Sequence, residues 1–273
     1  MPDTHTQVPT RTLGKTGLQV SCLGLGTVKF GRNQGVKYST GFELPDDMEL
    51  RRLLDIAQST GINLIDTAPA YGTSEERLGK LLHHRHDWVV CSKTGEEFVN
   101  GQSHFDFGAA HTRASVQRSL KRLRTDYLDV VLVHSDGNDE HIITQTDCFE
   151  TLQRLKDDGL IRAFGFSGKT CSGGVLALSY ADVVMVTFNP LETAELEVIQ
   201  TARTLGKGVL IKKAFNSGHA IKLSPGNGQL SSAEAAAESL RFVLSEPGVS
   251  SVIVGTINTH HLQDNAASVA AFC

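Results

Sequence analysis

Asp66, Tyr71, Lys93 and His134 are residue types that could together move a proton to or from an oxygen. A tyrosine alone, with a pKa near ~10, is a poor proton donor at neutral pH. A lysine ammonium beside it favours the phenolate and brings that pKa down. An aspartate paired with the lysine keeps it charged and in place, and a histidine can hydrogen-bond a substrate oxygen and orient it. Such a set suits acid–base chemistry at a carbonyl that accepts a hydride, because the developing alkoxide needs a proton. No serine or cysteine nucleophile stands beside an evident base, so acyl transfer has little support. Singly, each residue has an ordinary explanation: a turn cap, a lysine reaching water, a core histidine.

Their positions set them apart. "INLID" ends in Asp66, with Tyr71 in the turn "TAPAYG" that follows; "WVVCSK" ends in Lys93 and "LDVVLVH" in His134. These are the second, third and fourth of eight apolar runs, the others being "VSCLGLG", "IRAFGFSG", "VVMVTFN", "GVLIKKA" and "SSVIVGT". Amphipathic stretches lie between the runs: Leu50, Leu54 and Ala57 recur at helical spacing, as do Val116, Leu120 and Leu123. Thr73 and Glu76 have capping-box spacing, and Gly61 and Gly159 fall where helices should stop. Strands buried on both faces and alternating with helices pair in parallel through right-handed crossovers. Eight such units predict a (β/α)8 TIM barrel, a single domain over 1–273, preceded by a short N-terminal β-hairpin in "RTLGKTGLQVSCLGLGT". In that fold neighbouring strand ends lie about 5 Å apart and face one mouth, which would gather the four residues in one small volume. Long connections at 29–45 and 214–231 would flank that mouth.

The 273 residues are 40% apolar with a net charge of −4, which leaves no general attraction to nucleic acid or an anionic membrane. No apolar run nears the ~20 residues that span a bilayer. The polar start "MPDTHTQVPT" has no signal-peptide core, and Cys22, Cys91, Cys148, Cys171 and Cys273 are dispersed without a CxxC pair. A cytoplasmic protein with reduced thiols is the expectation. "GLGT" lacks the third glycine of a Rossmann turn, Lys29 standing there instead, and no Walker A sequence occurs. His83, His84 and His86 in "HHRH" have no acidic or cysteine partner at ligand spacing and read as a solvated surface. "RASVQRSLKRLR" reads as a helix covering a core rather than a nucleic-acid patch.

Over nearly its whole length the sequence resembles the aldo-keto reductase superfamily. The resemblance rests on "GINLIDTAPAYGTSEERLGKLL", "VVCSKTG", "RASVQRSLKRLRTDYLDVVLVHS" and "LQRLKDDGLIRAFGFSG", in that order. It implies Tyr71 as general acid, Lys93 lowering its pKa, Asp66 as the lysine's partner and His134 positioning the carbonyl. It also implies a nicotinamide cofactor extended across the barrel mouth without a Rossmann fold, with NADP (NADPH) preferred and NAD possible. Cofactor contacts are then expected from Gly26, Thr27, Val28 and Asp66; from Ser167, Gly168 and Met185; from Lys212, Lys213, Ala214, Phe215 and Ser217; and from Thr256, His261, Asp264 and Asn265. Several depart from the family pattern. Gly168 replaces an asparagine, Met185 a glutamine and Lys212 an aromatic residue that stacks on the nicotinamide. Gly255 and His261 stand where a lysine and an arginine often meet the 2′-phosphate, which weakens NADPH selection. The family's C-terminal loop is expected to be absent after "AASVAAFC", and pocket walls are then expected from the two long loops, with Phe30, Tyr38 and Phe42 in the first.

The function expected is therefore interconversion of a small-molecule carbonyl (aldehyde, ketone or sugar) and alcohol. The alternatives are a cofactor-binding regulatory barrel with little turnover and a metal-dependent lyase or isomerase. The four catalytic residue types favour the reductase, and no ligand cluster supports the metal enzyme. Substrate, reaction direction and oligomeric state are not legible.

Overall fold

All eight apolar runs become parallel strands in the computed structural model, which describes residues 7–36, 41–215 and 231–273. The expected hairpin comes first: β1 (Thr10–Thr12) pairs antiparallel with β2 (Gln19–Ser21), in register from Thr10↔Ser21 to Thr12↔Gln19. The first run divides between two elements, Val20 and Ser21 closing the hairpin and β3 (Leu23–Gly26) opening the barrel. Next come β4 (Leu64–Asp66) and β5 (Val89–Thr94), then a second antiparallel hairpin of β6 (Glu96–Val99) and β7 (Gln102–Phe105). The barrel resumes with β8 (Leu128–His134), β9 (Ile161–Ser167), β10 (Val183–Thr187), β11 (Gly208–Lys212) and β12 (Ser251–Val254). Its order is β3-β4-β5-β8-β9-β10-β11-β12, closed where Val252 pairs with Leu23.

Helices line the outside: α1 (Val28–Gly31), α2 (Asp47–Ser59), α3 (Ser74–Leu81), α4 (Ala109–Leu123), α5 (Asp139–Gln145) and α6 (Cys148–Asp157), followed by α7 (Cys171–Ala177), α8 (Leu196–Leu205), α9 (Ser232–Ser245) and α10 (Thr259–Phe272). Leu50, Leu54 and Ala57 are buried on α2, and Val116 and Leu123 on α4, as their spacing requires. Gly61 and Gly159 take left-handed φ values of 86° and 76° just beyond α2 and α6, where a side chain would be strained. The capping box expected at Thr73 does not form. Thr73 sits at φ −88°, ψ 8°, too near helical geometry for its hydroxyl to reach back over the first turn. Complete capping boxes occur instead at Asp46/Glu49 and Ser231/Glu234. The β6–β7 hairpin and α5 were not expected from the sequence.

Apolar packing falls into two layers. The larger lies between sheet and helices and includes Ile65, Val90, Val131, Val133 and Phe166 from the strands. The smaller joins the alternate residues Leu64, Cys91, Val130, Leu132, Ala163, Val183, Met185 and Leu210 with Leu13, Leu18 and Val20 of the N-terminal hairpin. Strand residues alternate between faces, so this second set is the barrel interior, closed at its base by the hairpin. Among the described residues, no helix is long and apolar enough to cross a membrane.

Candidate active site

Each strand's inward column changes character as it rises. Leu64 is followed two residues on by Asp66, Cys91 by Lys93 and Leu132 by His134; Ala163 is followed by Gly165 and Ser167, Met185 by Thr187, and Leu210 by Lys212. Period-two alternation keeps all of these on one face, so the apolar members fill the barrel and the polar members crowd its C-terminal mouth. Register aligns them: Gly26 pairs with Asp66, His134 with Ser167 and Thr187 with Lys212.

Lys93 Nζ donates to Asp66 Oδ1 at 2.5 Å and to the Thr67 carbonyl at 2.9 Å, with the two charged side chains only 2% and 5% exposed. Burial works against the ammonium, but Asp66 and Tyr71 outweigh it and Lys93 is held above the ordinary lysine range. The Lys93 Nζ lies 4.8 Å from the Tyr71 ring centroid, close enough for its charge to act on the phenol. Tyr71 is placed by its turn. Its amide donates to the Ala68 carbonyl at 3.0 Å, the Ser74 amide donates to its carbonyl, and Arg32 Nη1 donates to the Ala70 carbonyl at 3.1 Å. Backbone meets backbone here: a Cβ on Gly31 would lie 2.5 Å from the Tyr71 carbonyl, and one on Gly72 would lie 2.1 Å from that of Gly31. A buried hydroxyl chain fixes the base of the turn, Ser74 Oγ donating to Thr27 Oγ1, which donates to the Asp66 carbonyl.

His134 Nδ1 is buried and lies 2.7 Å from Glu96 Oε2, a close contact without the alignment of a hydrogen bond. Burial lowers the His134 pKa despite that neighbour. Burial also opposes the Glu96 carboxylate, but His134, Ser103 and Arg32 prevail and bring it down to about 2. Sequence reasoning missed Glu96; an acid three residues after a strand-terminal lysine was its only signal.

The mouth opens into a cavity of about 1070 Å³ bordered by Asp66, Tyr71, Lys93 and His134. Gly26, Thr27 and Val28 border it from the first strand end, and Ser167, Gly168 and Met185 from the middle of the barrel. Lys212, Lys213, Ala214 and Phe215 line it after the seventh strand, and Thr256, His261, Asp264 and Asn265 after the eighth. Ser217 and Tyr38 lie outside the described residues. Phe30 is not a pocket wall: it is fully buried in the core, and Phe42 does not border the cavity either. His83, His84 and His86 are exposed, and among the described residues no group of three or more His, Cys, Asp or Glu is placed to hold a metal ion.

The departures at the cavity wall have structural causes. A Cβ at Gly168 would stand 2.9 Å from the Phe166 ring and 3.0 Å from Asp139 Oδ2, leaving no room for an asparagine. Lys212 Nζ donates to Ser167 Oγ at 3.0 Å and to the Gly168 carbonyl at 2.7 Å, and burial lowers its pKa to about 8. With Ser167 Oγ accepting from lysine, its own proton is free for a ligand. Glu195, unmarked by sequence reasoning, borders the cavity; its Oε2 accepts from the Thr187 amide, whereas the buried Oε1 has no hydrogen-bond partner among the described residues. A hydroxyl donor, an unmet carboxylate oxygen and this volume fit a ligand as large and as rich in amide and hydroxyl groups as a nicotinamide dinucleotide.

A model of the Aldo/keto reductase family matches residues 22–220. L-galactose dehydrogenase of Arabidopsis thaliana is 29% identical over 97% of this chain and 89% of its own length. D-threo-aldose 1-dehydrogenase of a Pseudomonas species is 27% identical, covering 77% of this chain and 70% of its own. A crystal structure from Pseudomonas aeruginosa, assigned provisionally to the aldo-keto reductases, is 52% identical. It covers 96% of this chain and 95% of its own, with a TM-score of 0.85.

Proposed function

The chain belongs to the aldo/keto reductase family, and from that premise we propose that it interconverts a carbonyl and an alcohol with Tyr71 as the proton carrier. The family makes it a nicotinamide-dependent oxidoreductase acting on a small molecule. The observation that carries the residue assignment is the buried Asp66–Lys93 pair, with its ammonium 4.8 Å from the Tyr71 ring at the cavity edge.

In reduction, Tyr71 gives its proton to the substrate oxygen as negative charge develops there; in oxidation, its phenolate takes that proton back. Lys93 stabilises the phenolate in both directions, and Asp66 keeps Lys93 charged where burial alone would neutralise it. His134 borders the same cavity and orients the substrate by a hydrogen bond. A nicotinamide cofactor, when bound, would supply or take the hydride. Ser167, held by Lys212, would be a hydroxyl donor available to it. Gly26, Thr27, Val28, Gly168, Met185, Lys213, Ala214, Phe215, Thr256, His261, Asp264 and Asn265, which line the cavity, would hold it.

NADP is the first cofactor in this reading. Gly255 and His261, which offer no guanidinium for a 2′-phosphate, favour NAD as the second. The dehydrogenases of L-galactose and of an aldose among its relatives put sugars beside aldehydes and ketones as substrates. The test is absorbance-followed turnover of NADPH or NADH with a panel of these compounds. Tyr71→Phe should abolish turnover and leave cofactor binding largely intact. A Phe variant as active as the parent refutes the mechanism, and failure of both cofactors to bind refutes the whole assignment.

A further inference from the structure

A cation other than Lys93 is built against the Tyr71 turn, and backbone contacts bring it there. The Thr73 amide donates to the Gly31 carbonyl at 3.4 Å, and a Cβ on Gly72 would lie 2.1 Å from that same carbonyl, so the end of α1 and the turn are packed without a gap. Arg32, the next residue, lays its side chain along this seam. It is only 10% exposed, with Cζ 3.4 Å from the Phe98 ring centroid. Its guanidinium donates to three carbonyls: Nε to Gln34 at 2.9 Å, Nη2 to Gly35 at 3.0 Å and Nη1 to Ala70 at 3.1 Å. The last belongs to the peptide whose nitrogen is that of Tyr71. Neutral carbonyls fix a charge in place without cancelling it.

We propose that Arg32 is a positioning residue for the proton carrier: its fixed guanidinium joins Lys93 in stabilising the Tyr71 phenolate, which readies the site to take a proton from an alcohol. The inference rests on the reading of Tyr71 as the group that gives and takes the proton. Burial works against the guanidinium charge, whereas Glu96 and then Tyr71 support it, so Arg32 and the phenol feel one another. A guanidinium also stays charged at any pH the reaction meets. Lys93 of β5 is matched by Asp66 of β4, and Arg77 of α3, which holds the Phe30 carbonyl, is matched by Asp47 of α2 at 2.8 Å. Lys29 of α1 and His134 of β8 border the cavity. Glu96 of β6 lies 3.8 Å from Arg32 Nη1 and offsets it in part. It does not erase the effect, because the guanidinium is bonded to the Tyr71 turn and the carboxylate to Ser103.

The two directions of the reaction depend on Tyr71 in opposite ways. Oxidation starts from the phenolate and gains as pH rises through the Tyr71 midpoint; reduction starts from the phenol and declines there. A cation that favours the phenolate moves both limbs to lower pH together. A residue that merely props up the turn changes both rates and moves neither limb.

The test uses Arg32→Gln, which keeps a donor for the Ala70 carbonyl without the charge, and Arg32→Lys, which keeps the charge. In Arg32→Gln both limbs should move to higher pH by about one unit, the low end for a nearby opposite charge. Oxidation below the limb should then fall about tenfold while reduction there does not. Arg32→Lys should bring both limbs back toward the parent. Limbs that stay in place in Arg32→Gln, or an Arg32→Lys variant displaced as far, overturn the proposal. The same midpoint is read without turnover from phenolate absorbance of the unliganded proteins in alkaline titration. The chain has four tyrosines, so the Tyr71 signal is the difference between each protein and its Tyr71→Phe counterpart. A higher Tyr71 midpoint in Arg32→Gln than in the parent supports the proposal, and equal midpoints overturn it. Full turnover in Tyr71→Phe refutes the proton-carrier reading instead, while the titration still decides whether Arg32 acts on the phenol.

Discussion

Replacing Asp66 with asparagine preserves shape and removes one charge from a pair that is almost wholly buried. At 2.5 Å and an effective dielectric constant of about 20, the attraction lost is about 7 kcal/mol before any compensation. The asparagine oxygen can still accept from Lys93 Nζ, and the Thr67 carbonyl continues to do so at 2.9 Å. The net loss should therefore match that of a buried pair broken on one side, about 3–5 kcal/mol. Lys93→Met alone leaves the opposite charge stranded at similar cost. Asp66→Asn/Lys93→Met strands neither, so the double variant should be more stable than the two losses added together would predict, by about 2–3 kcal/mol. Urea unfolding midpoints of the four proteins at neutral pH give this coupling. The pH dependence supplies an independent sign. In the parent, Lys93 is held above its ordinary range, so its contribution is present throughout neutral and mildly alkaline pH and is lost only as pH rises beyond the unfolded value. In Asp66→Asn burial dominates and the folded-state pKa falls below the unfolded one. The unfolded chain then binds more protons, and the variant should gain stability from pH 7 to 9 where the parent does not. Additivity of the two single losses within about 0.5 kcal/mol, or a flat pH response in Asp66→Asn, refutes the view that this pair is held together by charge.

Three further outcomes follow from particular contacts. Gly31→Ala places a Cβ 2.3–2.6 Å from backbone atoms of Tyr71, Thr73 and Ser74, so the Tyr71 turn must move; stability should fall by about 1–3 kcal/mol and kcat should fall with it, whereas an alanine variant of unchanged kcat removes the turn from the mechanism. Burial brings the Lys212 pKa down to about 8, so this group favours the unfolded chain at neutral pH. Lys212→Met should raise the thermal midpoint while weakening nicotinamide cofactor affinity about tenfold through the loss of its bond to Ser167, and calorimetry reads both. Glu96 ionises at about 2 in the fold against about 4.3 unfolded. It therefore contributes stability that is present above pH 4.5 and is lost as pH falls toward 2. Acid unfolding of the parent and of Glu96→Gln should converge over that window, and parallel curves would show that Glu96 has no such linkage.

Much of the site was visible before any coordinates because strand periodicity and strand ends are local properties. Asp66, Lys93 and His134 each close an apolar run, and the same alternation that buries Leu64, Cys91 and Leu132 carries these three to the mouth. What local pattern does not encode is a contact between distant turns. Glu96 on His134, Arg32 on the Ala70 carbonyl and Lys212 on Ser167 are each settled by where the closed barrel brings two strand ends or loops together. Thr73 and Glu76 show the limit in the other direction. Their spacing suits a capping box, yet the packed turn above α3 holds Thr73 near helical geometry, and the cap is lost.

The sequence by itself determined eight strands, their helices, the order of the motifs and the four residues at three neighbouring strand ends. These depend on interactions between residues close along the chain, or on a periodicity that any parallel barrel must obey. Only the tertiary structure decided that Lys93 is clamped by Asp66 within reach of Tyr71, that Phe30 belongs to the core, and that an inserted hairpin sets a carboxylate against His134. Those outcomes turn on ångström-scale distances between segments far apart in the chain, which closure of the barrel alone specifies.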